Sequence, residues 1–321
     1  EISVSAKQIT IRGTSPVAFI YATTTLLQLH SVENSRILIP EGEIRDSPQF
    51  EYRGVNWNLL VECRGWSQDS GEGRQKLLDN CCDSFDLLAT FKLNAVFIDG
   101  FGWNPERFPG YSKLMRSINW EARRRGIKLM YGGYNAGYGA QWHPFDGPVF
   151  RNQSQYPEGE IFNCIGSQSE TSISRTMGTC LSNLQLNKQK QQNLQDFVKA
   201  VEPGMLYIHG LDIGSQQASL RSWAQRCPEC RRLWPNDEIN AADGMAGAFA
   251  RFYDELYEAA IEVRNPSSDY DAARDCTVCM VSPNYTSHYE SDEEWQFHLE
   301  YFRMLTRCLK HKEIQVVLRE Q

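Results

Sequence analysis

No stretch of the sequence approaches the roughly 18 unbroken apolar residues that a membrane-crossing helix needs, although hydrophobic residues make up 41% of its 321 positions. A surplus of positive charge is also missing. Lysine and arginine number 33 against 40 acidic residues, a formal charge of −7. That balance argues against a nucleic-acid partner, because proteins that hold a phosphate backbone concentrate basic side chains on one face. The compact basic run Arg123-Arg-Arg125 reads as the exposed end of a helix. Internal repeats and low-complexity tracts are lacking, so nothing suggests a solenoid or a disordered tail. No secretory leader is expected in the first residues given, because Glu1-Ile-Ser-Val4 already reads as a strand. What remains is the composition of an ordinary globular chain, with 23% charged residues and enough length for one large barrel or two smaller cores.

The pattern divides the chain near residue 46. Over 1–46 a strand at Ile9-Thr-Ile-Arg12, a turn from Gly13 to Pro16 and a helix over 18–29 read as the C-terminal part of a small α+β domain too short to bury a core alone. From 47 to 321, short apolar strands alternate with longer amphipathic helices. This is the signature of parallel strands joined by helical crossovers. Strands are predicted at 54–60, 95–99, 128–132, 206–211, 277–282 and 314–318, and helices at 75–91, 113–125, 188–201, 241–263 and 293–310. The fold class expected is α/β, a TIM-type (β/α) barrel truncated after about six strands. A polar stretch over 152–190 reads as a long irregular insertion after the third strand.

Particular residues carry a family resemblance. Arg45-Asp-Ser-Pro-Gln-Phe-Glu-Tyr-Arg-Gly54 resembles the Pro-x-Phe-x-x-Arg-Gly run that opens the barrels of the family 20 β-N-acetylhexosaminidases. Phe85-Asp-Leu-Leu-Ala-Thr-Phe-Lys-Leu-Asn-Ala-Val-Phe97 is similar to their first helix and second strand, and Glu121-Ala-Arg-Arg-Arg-Gly-Ile-Lys-Leu-Met130 to the helix and strand that follow. Tyr21-Ala-Thr-Thr-Thr-Leu-Leu-Gln28 looks like the close of the small domain that precedes such barrels. The likeness runs to about residue 140 and continues by element order alone. It implies a hydrolase acting on β-linked sugars, N-acetylated or plain, with an oligosaccharide or glycoconjugate as partner and neither a cofactor nor a metal. Proteins that degrade polysaccharides are commonly exported, so a secreted or periplasmic location is expected. The ten cysteines fit either redox compartment.

Carried over position by position, the family's sugar-clamping arginine falls on Arg53, where a guanidinium fork could grip neighbouring hydroxyls. Asn58 stands where the family has an aspartate. The family's paired acid site, an Asp-Glu at the end of the fourth strand, meets Tyr207-Ile-His-Gly-Leu-Asp-Ile-Gly214. Asp212 fills the aspartate position, and Ile213 replaces the glutamic acid and cannot transfer a proton. Three accounts stay open: Asp212 is itself the general acid, a carboxylate from another strand end (Asp99, Glu62 or Glu320) serves, or the barrel binds glycans without cleaving them. His209 could donate to substrate or to Asp212.

Barrels place their working loops at the C-terminal ends of the strands, and sugars are held there by flat aromatic faces and polar groups. Trp103 after the second strand, Asn135, Tyr138 and Trp142 after the third, and Asn284 and Tyr285 after the fifth supply such groups, with Glu62 after the first. The family's Pro-Gly-His turn is replaced by Gly137-Tyr138-Gly139. The pairs Cys227-Pro-Glu-Cys230 and Cys276-Thr-Val-Cys279 suggest zinc. The second pair, however, lies on a strand, where positions three apart face opposite ways. The first is turn-like, fit for a local disulfide or half of a metal site, and is expected to brace the loop after strand four.

Overall fold

The computed structural model describes residues 1–56, 71–98, 110–132, 181–182, 184–209, 220, 223–224, 226–281 and 291–317. At the N-terminus, β1 (Ile2–Ser5) and β2 (Gln8–Ile11) form a hairpin, followed by α1 (Pro16–Leu29) with Pro16 pre-setting its first turn. A second hairpin, β3 (Ser31–Glu33) with β4 (Arg36–Leu38), leads to β5 (Gly42–Ile44), which returns to pair with β1. The sheet order is therefore β2-β1-β5. Its apolar residues Ile2 and Val4 pack on Ala22 of α1 in a cluster of their own. The β3–β4 hairpin and β5 are additions to the sequence reading.

Six parallel strands follow: β6 (Gly54–Asn56), β7 (Ala95–Ile98), β8 (Lys128–Gly132), β9 (Met205–His209), β12 (Thr277–Val281) and β13 (Gln315–Val317). Between them run α2 (Gly71–Thr90), α3 (Tyr111–Arg124), α4 (Leu184–Val201), α5 (Pro228–Leu233) and α6 (Met245–Ile261). The short pair β10 (Arg264–Asn265) and β11 (Tyr270–Asp271), then α7 (Ala272–Asp275), precede β12, and α8 (Asp292–Cys308) links β12 to β13. The order β13-β12-β9-β8-β7-β6 is strictly sequential. A doubly wound sheet would reverse direction at a switch point.

Side-chain alternation decides the architecture. Val96, Leu129, Tyr131, Leu206, Ile208, Val278 and Met280 join the helices in one large core. Among the described residues, their neighbours Ala95, Met205, Tyr207, Cys279 and Val281, with Phe97, Met130 and Val317, pack on one another and on Tyr52 in a separate cluster. Helices thus cover one face, and the opposite face packs on itself, as in a (β/α) barrel opened after six strands. Strand spacing is tight where it carries the fold forward. A Cβ on Gly132 would lie 2.0 Å from the Tyr207 carbonyl oxygen, so β8 and β9 can close together there only with glycine. Gly126 ends α3 at φ +72° and would drive a Cβ to 2.4 Å from Val17 of α1. One glycine therefore both stops the helix and admits the N-terminal unit.

Across the outer core, the amide of Asn119 links three elements. Its Nδ2 donates to the Val201 carbonyl at 2.8 Å, and its Oδ1 accepts from the Tyr131 hydroxyl at 3.0 Å. The helix α8 opens with a Ser291-x-x-Glu294 capping arrangement, the serine oxygen accepting from the Glu294 amide at 3.2 Å. One turn on, His298 is 1% exposed, with its Nε2 3.9 Å from Glu294. Burial holds the His298 pKa below the usual 6.5, against the opposing pull of Glu294. The unfolded chain takes up the proton more readily than the folded one. Stability from this residue is therefore complete above about pH 6.5 and is lost as pH falls below it. Urea midpoints should fall between about pH 7.5 and pH 5, with a flatter slope in His298→Leu. An unchanged slope would assign the acid sensitivity elsewhere.

Candidate functional site

The C-terminal ends of the parallel strands form one edge, and backbone register shows how the central strands reach it. Gly132 is level with Tyr207, and His209 with Val281. Below that edge the inner face is apolar and aromatic, with Phe97 and Tyr207 ring centroids 4.4 Å apart at 54°. Tyr253 of α6 donates to the Val281 carbonyl at 2.7 Å, fixing the end of β12 from outside. Asp212 follows the last residue of β9, the fourth strand in order, by three positions. Asp212 itself, Asp99, Glu62, Glu320, Trp103, Asn135, Tyr138, Trp142, Asn284 and Tyr285 lie outside the described residues, as does the side chain of His209.

Arg53 is described, and its place corrects the expectation of a sugar clamp. It immediately precedes β6, at the N-terminal edge of the sheet. Its Nε and Nη2 donate to the Lys92 carbonyl at 3.1 and 2.9 Å, and Nη1 donates to the Phe50 carbonyl at 2.6 Å. The guanidinium carbon lies 5.3 Å from the Tyr21 ring of α1. The fork is spent on carbonyls beneath the barrel, where Asn94 Oδ1 also accepts from the Arg53 amide at 2.7 Å. Lys92, at φ +56°, pairs with Asp46 at 2.7 Å. The Arg-Gly and Lys-Leu-Asn motifs are thus two halves of one fastening between the N-terminal unit and the sheet.

Three groups that the sequence reading passed over meet on the inner face near that same end. Lys128 Nζ donates to Thr277 Oγ1 at 2.9 Å, and the Tyr52 hydroxyl lies 3.2 Å from the same oxygen. Burial raises the Tyr52 pKa, so the phenol stays neutral and serves as a hydrogen-bonding group. The signal was available: Lys128 and Thr277 open strands whose alternation sends them inward.

The cysteine pairs are also placed. Cys279 belongs to the inner cluster, while Cys276 packs against the outer core. They face opposite ways, as the strand reading requires. Burial pushes the Cys279 thiol up to about 12, which keeps it protonated and a poor metal ligand. Cys227 caps α5 through its sulfur, and Ser182 Oγ lies 3.4 Å from Cys227 and 3.1 Å from Cys230. Among the described residues no group of three or more His, Cys, Asp or Glu side chains could hold a metal ion, and no helix is long and apolar enough to cross a membrane.

The architecture is that of a (β/α) barrel, as comparison with known structures shows. A glycoside hydrolase family 20 β-N-acetylglucosaminidase superposes on 99% of this chain and 62% of its own, at a TM-score of 0.50 and 12% identity. The family 20 β-N-acetylhexosaminidase of Streptomyces coelicolor A3(2) matches 99% of this chain and 59% of its own, also at 0.50 and 12%. In sequence, 62 residues are 39% identical to a β-hexosaminidase of Vibrio furnissii, a match over 19% of this chain and 10% of that protein. The chain therefore spans about three-fifths of the solved structures and a tenth of the curated relative. No family model matches the sequence.

Proposed function

We propose that this chain is the barrel portion of a glycoside hydrolase acting on β-linked, N-acetylated sugars, with Asp212 as its central carboxylate. One observation carries the reading: β9 is the fourth strand of a sequential parallel sheet that follows the family 20 fold over 99% of the chain, and Asp212 follows its C-terminal end. Barrel enzymes work at that end. The partial identity to a β-hexosaminidase points the same way. The second acid of the family pair is absent, because Ile213 stands there. Either Asp212 transfers the proton itself, with a pKa raised by its surroundings, or Asp99, Glu62 or Glu320 does so from a neighbouring strand end. The aromatic and amide groups of Trp103, Asn135, Tyr138, Trp142, Asn284 and Tyr285 would hold the sugar, and His209 would donate to it or to Asp212.

A panel of nitrophenyl glycosides tests this. The N-acetyl-β-glucosaminide should be hydrolysed in preference to the β-glucoside, because only the former carries an acetamido group that can attack its own anomeric carbon. Saturable binding without turnover of any member would overturn the hydrolase reading in favour of a glycan-binding barrel.

A further inference from the structure

A groove of about 620 Å³ runs along the outer wall at the opposite end of the barrel, lined by Arg116, Trp120, Arg123, Glu202, Ser268 and Leu78 among others. Glu202 lies in the connection from α4 to β9 and Ser268 in that from α6 to β12, so both belong to the N-terminal rim of the sheet. The helix α3 buries Leu114, Met115, Ile118 and Ala122. On another side it presents Arg116, Trp120 and Arg123, spaced by four and three residues along one face. Trp120 is 60% exposed.

The polar groups are fixed in place. Glu202 is 5% exposed and held at φ +55°, a left-handed conformation that costs a non-glycine residue about 1 kcal/mol or more. Its Oε1 accepts from Asn265 Nδ2 at 2.6 Å and Ser268 Oγ at 2.5 Å, and Arg116 Nε lies 3.7 Å away. All these contacts go to one carboxylate oxygen. Arg116 Nη2 donates to the Lys199 and Ala200 carbonyls at 3.2 and 2.9 Å, which orients the fork. Arg123 reaches the Glu202 carbonyl at 3.4 Å and lies 5.8 Å from the Tyr270 ring.

We propose that this groove is a second glycan-binding site, taking one pyranose ring stacked on Trp120 with its hydroxyls bridging the Glu202 carboxylate and the Arg116 guanidinium. The chemistry selects such a ligand. A phosphate or other compact anion would meet Glu202, and a cation would meet Arg116, Arg123 and Lys113. A neutral polyol offers donors to the carboxylate, acceptors to the guanidinium and a flat CH face to the indole. The proposal rests on the glycan-active reading of the protein. Its location on the N-terminal rim makes it separable from turnover, which belongs to the other end of the sheet. Its role would be to hold a long glycan while another stretch of that glycan is cut.

The test uses the full chain labelled with fluorotryptophan, whose eight indoles are assigned for this position by Trp120→Phe. Titration with a tetramer of β-linked N-acetylglucosamine should shift the Trp120 resonance saturably. Trp120→Ala, a surface change that leaves the fold intact, should weaken partition onto insoluble chitin about tenfold and leave nitrophenyl glycoside hydrolysis unchanged. A Trp120 resonance that stays put to the solubility limit, or an unaltered partition, overturns the groove. The two readings fail separately. An inactive chain whose Trp120 still shifts keeps the groove and loses the hydrolase, whereas an active chain with a silent Trp120 does the reverse.

Discussion

Asp212→Asn is expected to lower kcat on an N-acetyl-β-glucosaminide by about 10²–10⁴-fold, the range that a positioned acid or base supplies, with the thermal midpoint almost unmoved. Asparagine keeps the size and one carbonyl oxygen while removing both the charge and the titration. Two roles for the carboxylate predict different patterns. If Asp212 protonates the leaving oxygen, nitrophenolate, which departs with little help, should be lost less severely than a poor leaving group such as an alkoxide. If it holds the acetamido group in line for attack, the loss should be the same for both leaving groups and confined to N-acetylated substrates. Asp99→Asn, Glu62→Gln and Glu320→Gln measured beside it locate the proton donor. A variant whose deficit grows as the leaving group worsens marks that residue. Retention of most activity in Asp212→Asn would end the assignment of this position.

The fold was legible where side-chain period is strong. The strand expected at 128–132 is Lys128–Gly132, and the helix expected at 113–125 is Tyr111–Arg124. The small additions escaped for a physical reason. Strands of three residues such as Arg36–Leu38 and Gly42–Ile44 are too short to show alternation, and β5 exists only because β1 offers it an edge. The reading of Arg53 failed differently. The resemblance assigned Arg53 a role at the sugar, whereas its guanidinium is spent on the Lys92 and Phe50 carbonyls. A residue just before a strand lies at the N-terminal edge, and barrel chemistry belongs to the other. That much could have been argued from the predicted strand start at residue 54. The strand-end loops carry most of the candidate residues, and loop conformation has no period from which to derive it.

Arg226→Ala is expected to destabilise the chain by about 2–4 kcal/mol, because the loss falls on buried carbonyls more than on an ion pair. Arg226 is 3% exposed. Its Nη1 donates to the Trp223 carbonyl at 2.9 Å, its Nε and Nη2 to that of Trp234 at 3.3 and 3.2 Å, and Nη2 lies 3.4 and 3.3 Å from those of Pro235 and Asn236. The guanidinium stacks 4.5 Å from the Trp223 ring, and the indole in turn donates to Asn236 at 2.8 Å. Its partner Asp237, at 2.8 Å, has a side chain that is 76% exposed, so solvent already satisfies that carboxylate and the pair contributes under about 1 kcal/mol. Asp237→Ala should therefore be nearly neutral. Arg226→Lys should recover little, since an ammonium can neither stack as a plane nor reach several carbonyls at once. Chemical denaturation of the three variants decides the matter: equal losses in Arg226→Ala and Asp237→Ala would make the ion pair the dominant contact. The connection that leaves β9 and contains Asp212 is anchored at its far end by this arginine. Turnover measured well below the unfolding temperature should consequently fall in Arg226→Ala and stay intact in Asp237→Ala.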